Sequence, residues 1–400
     1  MQLVSIAAGR DHTCGIGTDS IAYCWGSRNP GRAVTDPCVW NGQPCSVTPQ
    51  AVAGGQRFVA LAEGRGRLDC GLAASGAAYC WGSLYAEDIG LWGSAVPEPL
   101  GTALQFSAIG SGLQHTCGLD LQGQVWCWGA NYMGTLGTGA PWGPGPEYSL
   151  DPLLAGEGAA FTSIAVGGAH SCAKNEAGQL FCWGDNTTGQ LGGGLSPVDH
   201  ECNSAHWSRD GFCEASPRGV YGGFVFTAVS GGWDHTCGVT EGTLLCWGAN
   251  GAGQLGATTS QYTCPVLRGG TQPCAPYPVR VGFPFASADM PVVAVATGEG
   301  HTCALTGAGT IYCWGRNDRG QLGIGAVGDR ALPTPVALDG ITFRALTAAL
   351  DHTCALAANG DAYCWGNNSG GQLGDGTTVD RSAPVRVRRP AQGSASSSAH

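Results

Sequence analysis

Apolar and polar positions alternate along this chain in short runs, each closed by glycine or proline. FTSIAVGG (161–168) and FTAVSGG (226–232) alternate larger apolar with small or polar residues over most of their length, close to the period of a strand with one buried face. A short extended piece stands ahead of such runs, as in PVRV (278–281) and PVAL (335–338). Behind them come an HTCAL-type run, a turn containing glycine, and a YCWG-type run. Each unit thus predicts four short β-strands bounded by turn residues. No apolar run is long enough to span a bilayer, so no membrane insertion is expected.

The unit recurs. HTCGIGTDSIAYCWG (12–26) is followed by LDCGLAASGAAYCWG (68–82), HTCGLDLQGQVWCWG (115–129), HSCAKNEAGQLFCWG (170–184), HTCGVTEGTLLCWG (235–248), HTCALTGAGTIYCWG (301–315) and HTCALAANGDAYCWG (352–366). The seven tryptophans Trp25, Trp81, Trp128, Trp183, Trp247, Trp314 and Trp365 are 56, 47, 55, 64, 67 and 51 residues apart. Repeats of this period predict an array or propeller, and four strands are the content of one propeller blade. The expected fold is all-β: a single seven-bladed β-propeller over residues 1–390, with roughly four antiparallel strands per blade, and 391–400 a flexible tail or expression remnant. The first unit begins at Leu3 without an extended leading piece, and the chain ends in APVRVRR (383–389). The C-terminal strand is therefore expected to pair with the N-terminal blade and close the ring, Val385 and Val387 facing in and Arg386 and Arg388 out.

The pattern AxGxxHTCAL, then a turn, then YCWGxNxxGQLG, resembles the repeats of the RCC1 superfamily in the cysteine-rich form of bacterial extracellular proteins. The resemblance covers nearly the whole chain and implies a seven-bladed propeller. That superfamily includes a nuclear guanine-nucleotide exchange factor, a plant ultraviolet photoreceptor and a secreted bacterial inhibitor of β-lactamase. A shared propeller transmits none of these activities.

Charge narrows the partners. A net charge near −10 and a pI of about 5.3 oppose the basic stripe that a phosphate backbone requires, so nucleic acid is not expected. Lys174 is the one lysine, in the turn AKNEAG, which leaves Schiff-base chemistry a single poor candidate. MQLVSIAAG reads as a strand rather than a leader, so the chain is expected either to be cytosolic or to have lost its leader.

Twenty cysteines bear most on the chemistry. The repeats hold Cys14 and Cys24, Cys70 and Cys80, Cys117 and Cys127, Cys172 and Cys182, Cys237 and Cys246, Cys303 and Cys313, and Cys354 and Cys364. The other six are Cys38 and Cys45, Cys202 and Cys213, and Cys264 and Cys274. An even total with a nearby partner for each favours disulfides. Residues facing each other in a non-hydrogen-bonded antiparallel pair have Cα atoms about 4.5 Å apart, within disulfide range. The alternatives are zinc sites built from His, Cys and Cys, and free buried thiols. Against zinc, the second unit has Leu68 in the histidine's place yet keeps Cys70 and Cys80, and the short C-x2-4-C spacing is absent. Disulfides in this number imply a secreted, periplasmic or cell-surface protein and set aside the nuclear exchange-factor activity.

His12, His115, His170, His235, His301 and His352 occupy one position in six units. A catalytic base is needed once, so these read as hydrogen-bonding struts between backbone segments. The CWG tryptophans read as blade-packing aromatics. Gly-Gln-Leu-Gly at 189–192, 253–256, 320–323 and 371–374 reads as a turn device, since no Lys-Ser or Lys-Thr follows to make it a phosphate loop.

Function is expected where the repeat is broken. The linkers 26–50, 195–219 and 257–280 each carry their own cysteine pair between CWG and the next leading strand, so all three should emerge on one face of the disc. Aromatics of the irregular segments, Trp40, Tyr85, Trp92, Tyr132, Trp142, Tyr148, Trp207 and Tyr262, are candidate binding residues for an extracellular protein or a carbohydrate. The resulting expectation is a non-enzymatic scaffold without a cofactor. One alternative is a self-associating surface or filament component. Another is a metal-dependent hydrolase using the 199–214 segment, where Asp199, His200, His206 and Asp210 stand beside Glu201 and Glu214 but without H-E-x-x-H spacing.

Overall fold

The computed structural model describes residues 2–27, 38–40, 43–63, 66, 68–83, 93–139, 148–195, 201–204, 207–257, 262–265, 270–282, 290–338 and 340–389. Seven antiparallel sheets, each drawn from one contiguous stretch of chain, form the blades of a β-propeller. Blade 1 runs through Leu3–Ala8, His12–Gly17, Ala22–Ser27 and Gln43–Ala51. Blade 7 runs through Phe343–Ala348, His352–Ala357, Ala362–Gly366 and Arg381–Arg386. The first strands of successive blades touch around a full circle, and Leu3–Ala8 meets both Ala60–Glu63 of blade 2 and Phe343–Ala348 of blade 7. These strands are the innermost layer.

Closure differs from the expectation. The C-terminal strand Arg381–Arg386 pairs with Ala362–Gly366 in its own blade, through Tyr363 opposite Arg386 and Cys364 opposite Val385, and not with the N-terminal blade. The extended piece that precedes each unit in sequence is the fourth strand of the unit before it. It pairs with the YCWG strand behind it as an antiparallel neighbour although it stands nearer in sequence to the next unit, and the longer connection is a small obstacle because each doubling of loop length adds only about 0.6 kcal/mol of closure cost. The alternation itself holds: Val387 is buried, whereas Arg386 and Arg388 are exposed. The ring closes by contacts between complete blades, including a hydrogen bond from Leu3 N–H to the Gly360 carbonyl, 3.0 Å.

The repeated sequence is an inter-blade joint. His170 Nε2 lies 2.8 Å from Thr236 Oγ1, His235 Nε2 2.9 Å from Thr302 Oγ1, and His301 Nε2 2.9 Å from Thr353 Oγ1. Each histidine thus reaches the hydroxyl beside the next blade's histidine. Thr236, Thr302 and Thr353 donate their own protons to the carbonyls of Gln190, Gln254 and Gln321. The imidazole must therefore donate from Nε2, which fixes its tautomer. Blade 1 uses Asp69 as acceptor for His12, 3.1 Å, and blade 3 uses Ser171 for His115, 2.8 Å. The struts join side chains of neighbouring blades rather than backbone segments. The glycine three residues before the histidine makes room for the ring: a Cβ at Gly167 would stand 2.2 Å from His170 Cε1.

The same glutamine carbonyls receive the next blade's indole, Trp247 on Gln190, Trp314 on Gln254 and Trp365 on Gln321, each at 2.9 Å. Gly-Gln-Leu-Gly is accordingly a latch between blades. The side chain of Asn186 shapes the turn by accepting from Leu191 N–H, 3.2 Å. All seven CWG tryptophans are at most 2% exposed and lie between blades; Trp81, for example, fills a cluster with Cys14, Ile16 and Cys24 of blade 1.

In each blade the two repeat cysteines face each other across the central strand pair, as Cys303 faces Cys313, with a Cα separation of 4.1 Å and a disulfide between them. Equivalent bridges join Cys14 to Cys24, Cys70 to Cys80, Cys117 to Cys127, Cys172 to Cys182, Cys237 to Cys246 and Cys354 to Cys364. There is no free cysteine among the described residues. This content of cystine points to a compartment outside the reducing cytosol. No helix is long and apolar enough to cross a membrane, among the described residues.

Candidate functional site

Three blades carry a fifth strand. In blade 1 Val39–Trp40 pairs with Gln43–Ala51, in blade 4 Glu201–Ser204 with Trp207–Gly219, and in blade 5 Tyr262–Pro265 with Thr271–Arg280. Each pair is a hairpin built from one of the cysteine-bearing linkers. Disulfides join Cys38 to Cys45 and Cys264 to Cys274, and Cys213 is disulfide-bonded as well. The stapled cysteine sits opposite the last residue of its blade's third strand: Cys45 opposite Ser27, Cys213 opposite Asp185, Cys274 opposite Ala249. All three hairpins therefore rise from the same end of their blades.

That end also holds a cavity of about 520 Å³ at the inner ends of blades 3 to 6. Its floor and walls come from two kinds of loop. One is the pair of residues just ahead of each recurring histidine, which contributes Leu113 and Gln114, Trp233 and Asp234, and Glu299. Backbone bonds tie these loops into a belt: Leu113 N–H to the Gly168 carbonyl, 2.9 Å, Gly168 N–H to Gly232, 2.9 Å, and Trp233 N–H to Gly298, 3.1 Å. The other is the segment after the third strand, which contributes Tyr132, Met133, Asp185 and Thr188. Gln272, from the stapled hairpin of blade 5, completes the wall. The blade 4 hairpin supports it from outside, where Cys213 packs on Met133.

Three carboxyl groups line the cavity, and their environments differ. Asp185 is buried and accepts from Thr187 N–H at 2.8 Å and Thr187 Oγ1 at 2.6 Å; burial raises its pKa and these bonds pull against the rise. Glu299 has Arg316 at 3.5 Å. Asp234 has neither a hydrogen-bond nor an ionic partner for its carboxylate among the described residues, although its backbone carbonyl accepts from Thr188 Oγ1, 2.8 Å, and Ala249 N–H, 2.8 Å. Burial pushes the Asp234 carboxyl up to about 8, with the negative charges of Asp185 and Glu299 adding to the effect. His115, on the cavity wall, is held down at about 4 by burial and is neutral at pH 7.

Of the expected binding aromatics, Tyr132 lines the cavity, in the turn Tyr132–Gly134. Tyr148 is half-buried opposite Ala130 at the same end of blade 3. Tyr262 stands on the blade 5 hairpin, 49% exposed, its ring 6.3 Å from Tyr277, which in turn lies 5.1 Å from Tyr221. Tyr85, Trp92 and Trp142 lie outside the described residues, as do Asp199, His200 and His206. Trp40, Trp207 and Asp210 fall in the hairpin strands, their side chains outside the described part. Among the described residues, no group of three or more His, Cys, Asp or Glu is placed to hold a metal ion.

Sequence reasoning missed Asp185, Trp233, Asp234 and Glu299. A signal was present: ahead of the histidine in the six units that carry it, the paired residues read RD, LQ, GA, WD, EG and LD. Variation at a fixed inner loop of a rigid repeat marks a surface free to specialise.

A family model described as the RCC1-like domain matches residues 72–400, and one described as the regulator of chromosome condensation (RCC1) repeat matches residues 3–29. The chain is 29% identical over 227 residues to the ultraviolet-B receptor UVR8 of Arabidopsis thaliana, covering 56% of this chain and 45% of that one. It is 30% identical over 232 residues to the probable E3 ubiquitin-protein ligase HERC4 of Rattus norvegicus, covering 56% of this chain and 19% of the ligase. The matched stretch is thus less than half of either relative. Among solved structures, yeast RCC1 (Prp20) bound to Kap60 superimposes with a TM-score of 0.71 at 19% identity, over 98% of this chain and 86% of that one. At that identity the likeness speaks for the fold.

Proposed function

We propose that this chain, which belongs to the RCC1-like domain family, is a non-catalytic scaffold that binds a protein or glycan partner outside the cytosol, through the face bearing its three stapled hairpins. The observation that carries this reading is the placement of those hairpins: extra strands, cross-linked, on the end of the disc where the cavity opens. Segments held in shape by disulfides lose less conformational entropy on association than free loops of the same length. The rigid ring beneath them sets their mutual distances.

Several points support a binding role over a chemical one. The recurring histidines are consumed by inter-blade bonds, and His115 and His352 are held neutral by burial. The bridged cysteines have no thiolate to offer. The yeast RCC1 structure is one of a propeller in complex with another protein, and the ligase named among the relatives extends far beyond the matched stretch.

The experiment is affinity capture from the native extracellular fraction with the intact chain and with three variants, each replacing one hairpin by a short turn. A partner retained by the intact chain and lost by one variant whose melting is unchanged supports the reading. A partner retained by all three variants, or self-association on size exclusion as the sole product, overturns it.

A further inference from the structure

We infer that the cavity between blades 3 and 6 receives a basic side chain, arginine or lysine, carried on a peptide segment of the partner. This inference rests on the scaffold reading above and names the chemistry of its anchor point.

Size is the first observation. A concavity of about 520 Å³ is within the range of roughly 300–1,000 Å³ typical of ligand sites, large enough for one long side chain with flanking backbone. The second is the wall. Trp233 and Tyr132 offer aromatic surface suited to a cation, and Leu113 and Met133 offer apolar surface for an aliphatic stem. Gln272 offers a polar side chain for a peptide backbone.

Charge decides the sign of the occupant. Asp185, Asp234 and Glu299 converge on one cavity, and the cation beside them, Arg316, is shared between Glu299 at 3.5 Å and Asp318 at 3.1 Å. Asp185 is satisfied by Thr187, which leaves Asp234 as the carboxylate with open valence. Around it stand Asp185 from the end of its strand, Glu299 from the next blade's loop, the neutral His115 across the cavity, and Arg316 beyond Glu299. A guanidinium or ammonium group here would neutralise mutual repulsion and satisfy an unpaired carboxylate at once.

Occupancy should follow the ionisation of Asp234. The cation binds the carboxylate form, so binding tightens as pH rises toward the value of about 8 to which that carboxyl is pushed.

The test uses the full oxidised chain and calorimetric titration with the blocked tripeptide Gly-Arg-Gly, its citrulline counterpart, and agmatine. The expected result is saturable binding of the arginine peptide, about tenfold or more tighter at pH 8.5 than at pH 6.5, with the citrulline peptide at least tenfold weaker at pH 8.5. Asp234→Asn should abolish both differences. Glu299→Gln serves as a second variant should the first fail to fold, and is expected to weaken binding severalfold. Equal affinity for arginine and citrulline peptides, indifference to both variants, or no saturation at millimolar peptide overturns the inference. Agmatine binding as tightly as the peptide would mark a small-molecule site and overturn it too. The scaffold reading is separable: a partner captured equally by Asp234→Asn and by the native chain, yet lost with a hairpin, removes the cavity's role and leaves the hairpin face standing.

Discussion

His352 Nε2 stands 2.9 Å from Thr13 Oγ1, so the last blade holds the first across the point where the chain begins and ends its circle. Thr13 also donates to the Gln372 carbonyl, 3.0 Å, repeating at the seam the joint found inside the ring. Thr13→Val removes the shared hydroxyl and strands a buried imidazole N–H. A loss of about 1–3 kcal/mol is expected for such a change. Thr236→Val, at an interior joint, should cost a similar amount. Urea unfolding of the oxidised variants checks this, and a much smaller loss at Thr13 would mean that the seam is held by other contacts.

The latch glycines admit no side chain. Gly323 has a φ of +67°, and a Cβ there would lie 2.7 Å from Trp365 Nε1, the atom that donates to the Gln321 carbonyl. Gly323→Ala therefore combines left-handed backbone strain with a displaced indole and is expected to destabilise by about 1–3 kcal/mol. Gly340, also at positive φ but with nothing near its Cβ position, provides the control: its alanine variant should show only the backbone part. Thermal melting of the two variants separates strain from steric conflict.

The two kinds of disulfide should behave differently. Cys303 and Cys313 close a loop with a sequence separation of 10 and are fully buried within a blade. Replacing both with alanine should lower global stability by roughly 2–4 kcal/mol. Cys264 and Cys274 are equally buried and close a loop of the same separation, but they tie the added fifth strand Tyr262–Pro265 to its blade, and that strand can open without unfolding the other four. Their replacement should leave the main transition almost unmoved and instead expose the fifth strand Tyr262–Pro265 to proteolysis. Limited digestion followed by mass mapping distinguishes these outcomes.

The ring of seven was legible because every unit repeats two cysteines and a tryptophan at nearly fixed spacing, and six of the seven place a histidine ahead of them. Which blade owns the extended piece was not legible, since a periodic pattern carries no mark of where one period starts; strand pairings such as that of Cys364 with Val385 fix the phase. The stapled linkers could be placed on one end from their position after CWG. The cavity could not. Asp185, Asp234 and Glu299 come from three different blades, and nothing along the chain shows that the curvature of the ring brings them together. Tyr132 was found for its aromatic character, although the turn that aims it was not foreseen.

The acid groups of the cavity and the buried histidines should oppose each other in the pH dependence of stability. His115 and His352 have folded values of about 4 and about 3, below the unfolded value of about 6.5. The unfolded chain binds more protons in that window, so the stability these histidines contribute is full above pH 6.5 and is lost as pH falls. Asp234 and Asp351 are raised, to about 8 and about 6. The folded chain therefore holds their protons longer, and stability is lost as pH rises through those values. Between pH 4 and 6 the two trends offset each other. Above pH 6.5 these two histidines are silent and Asp234 continues to titrate, contributing a slope of up to about 1.4 kcal/mol per pH unit. The melting temperature should accordingly fall between pH 6.5 and 8.5 in the native chain and fall less in Asp234→Asn, where Asp185, also raised by burial, still acts in the same direction. A level profile in both would mean that Asp234 is ionised throughout, with its charge compensated in the ring.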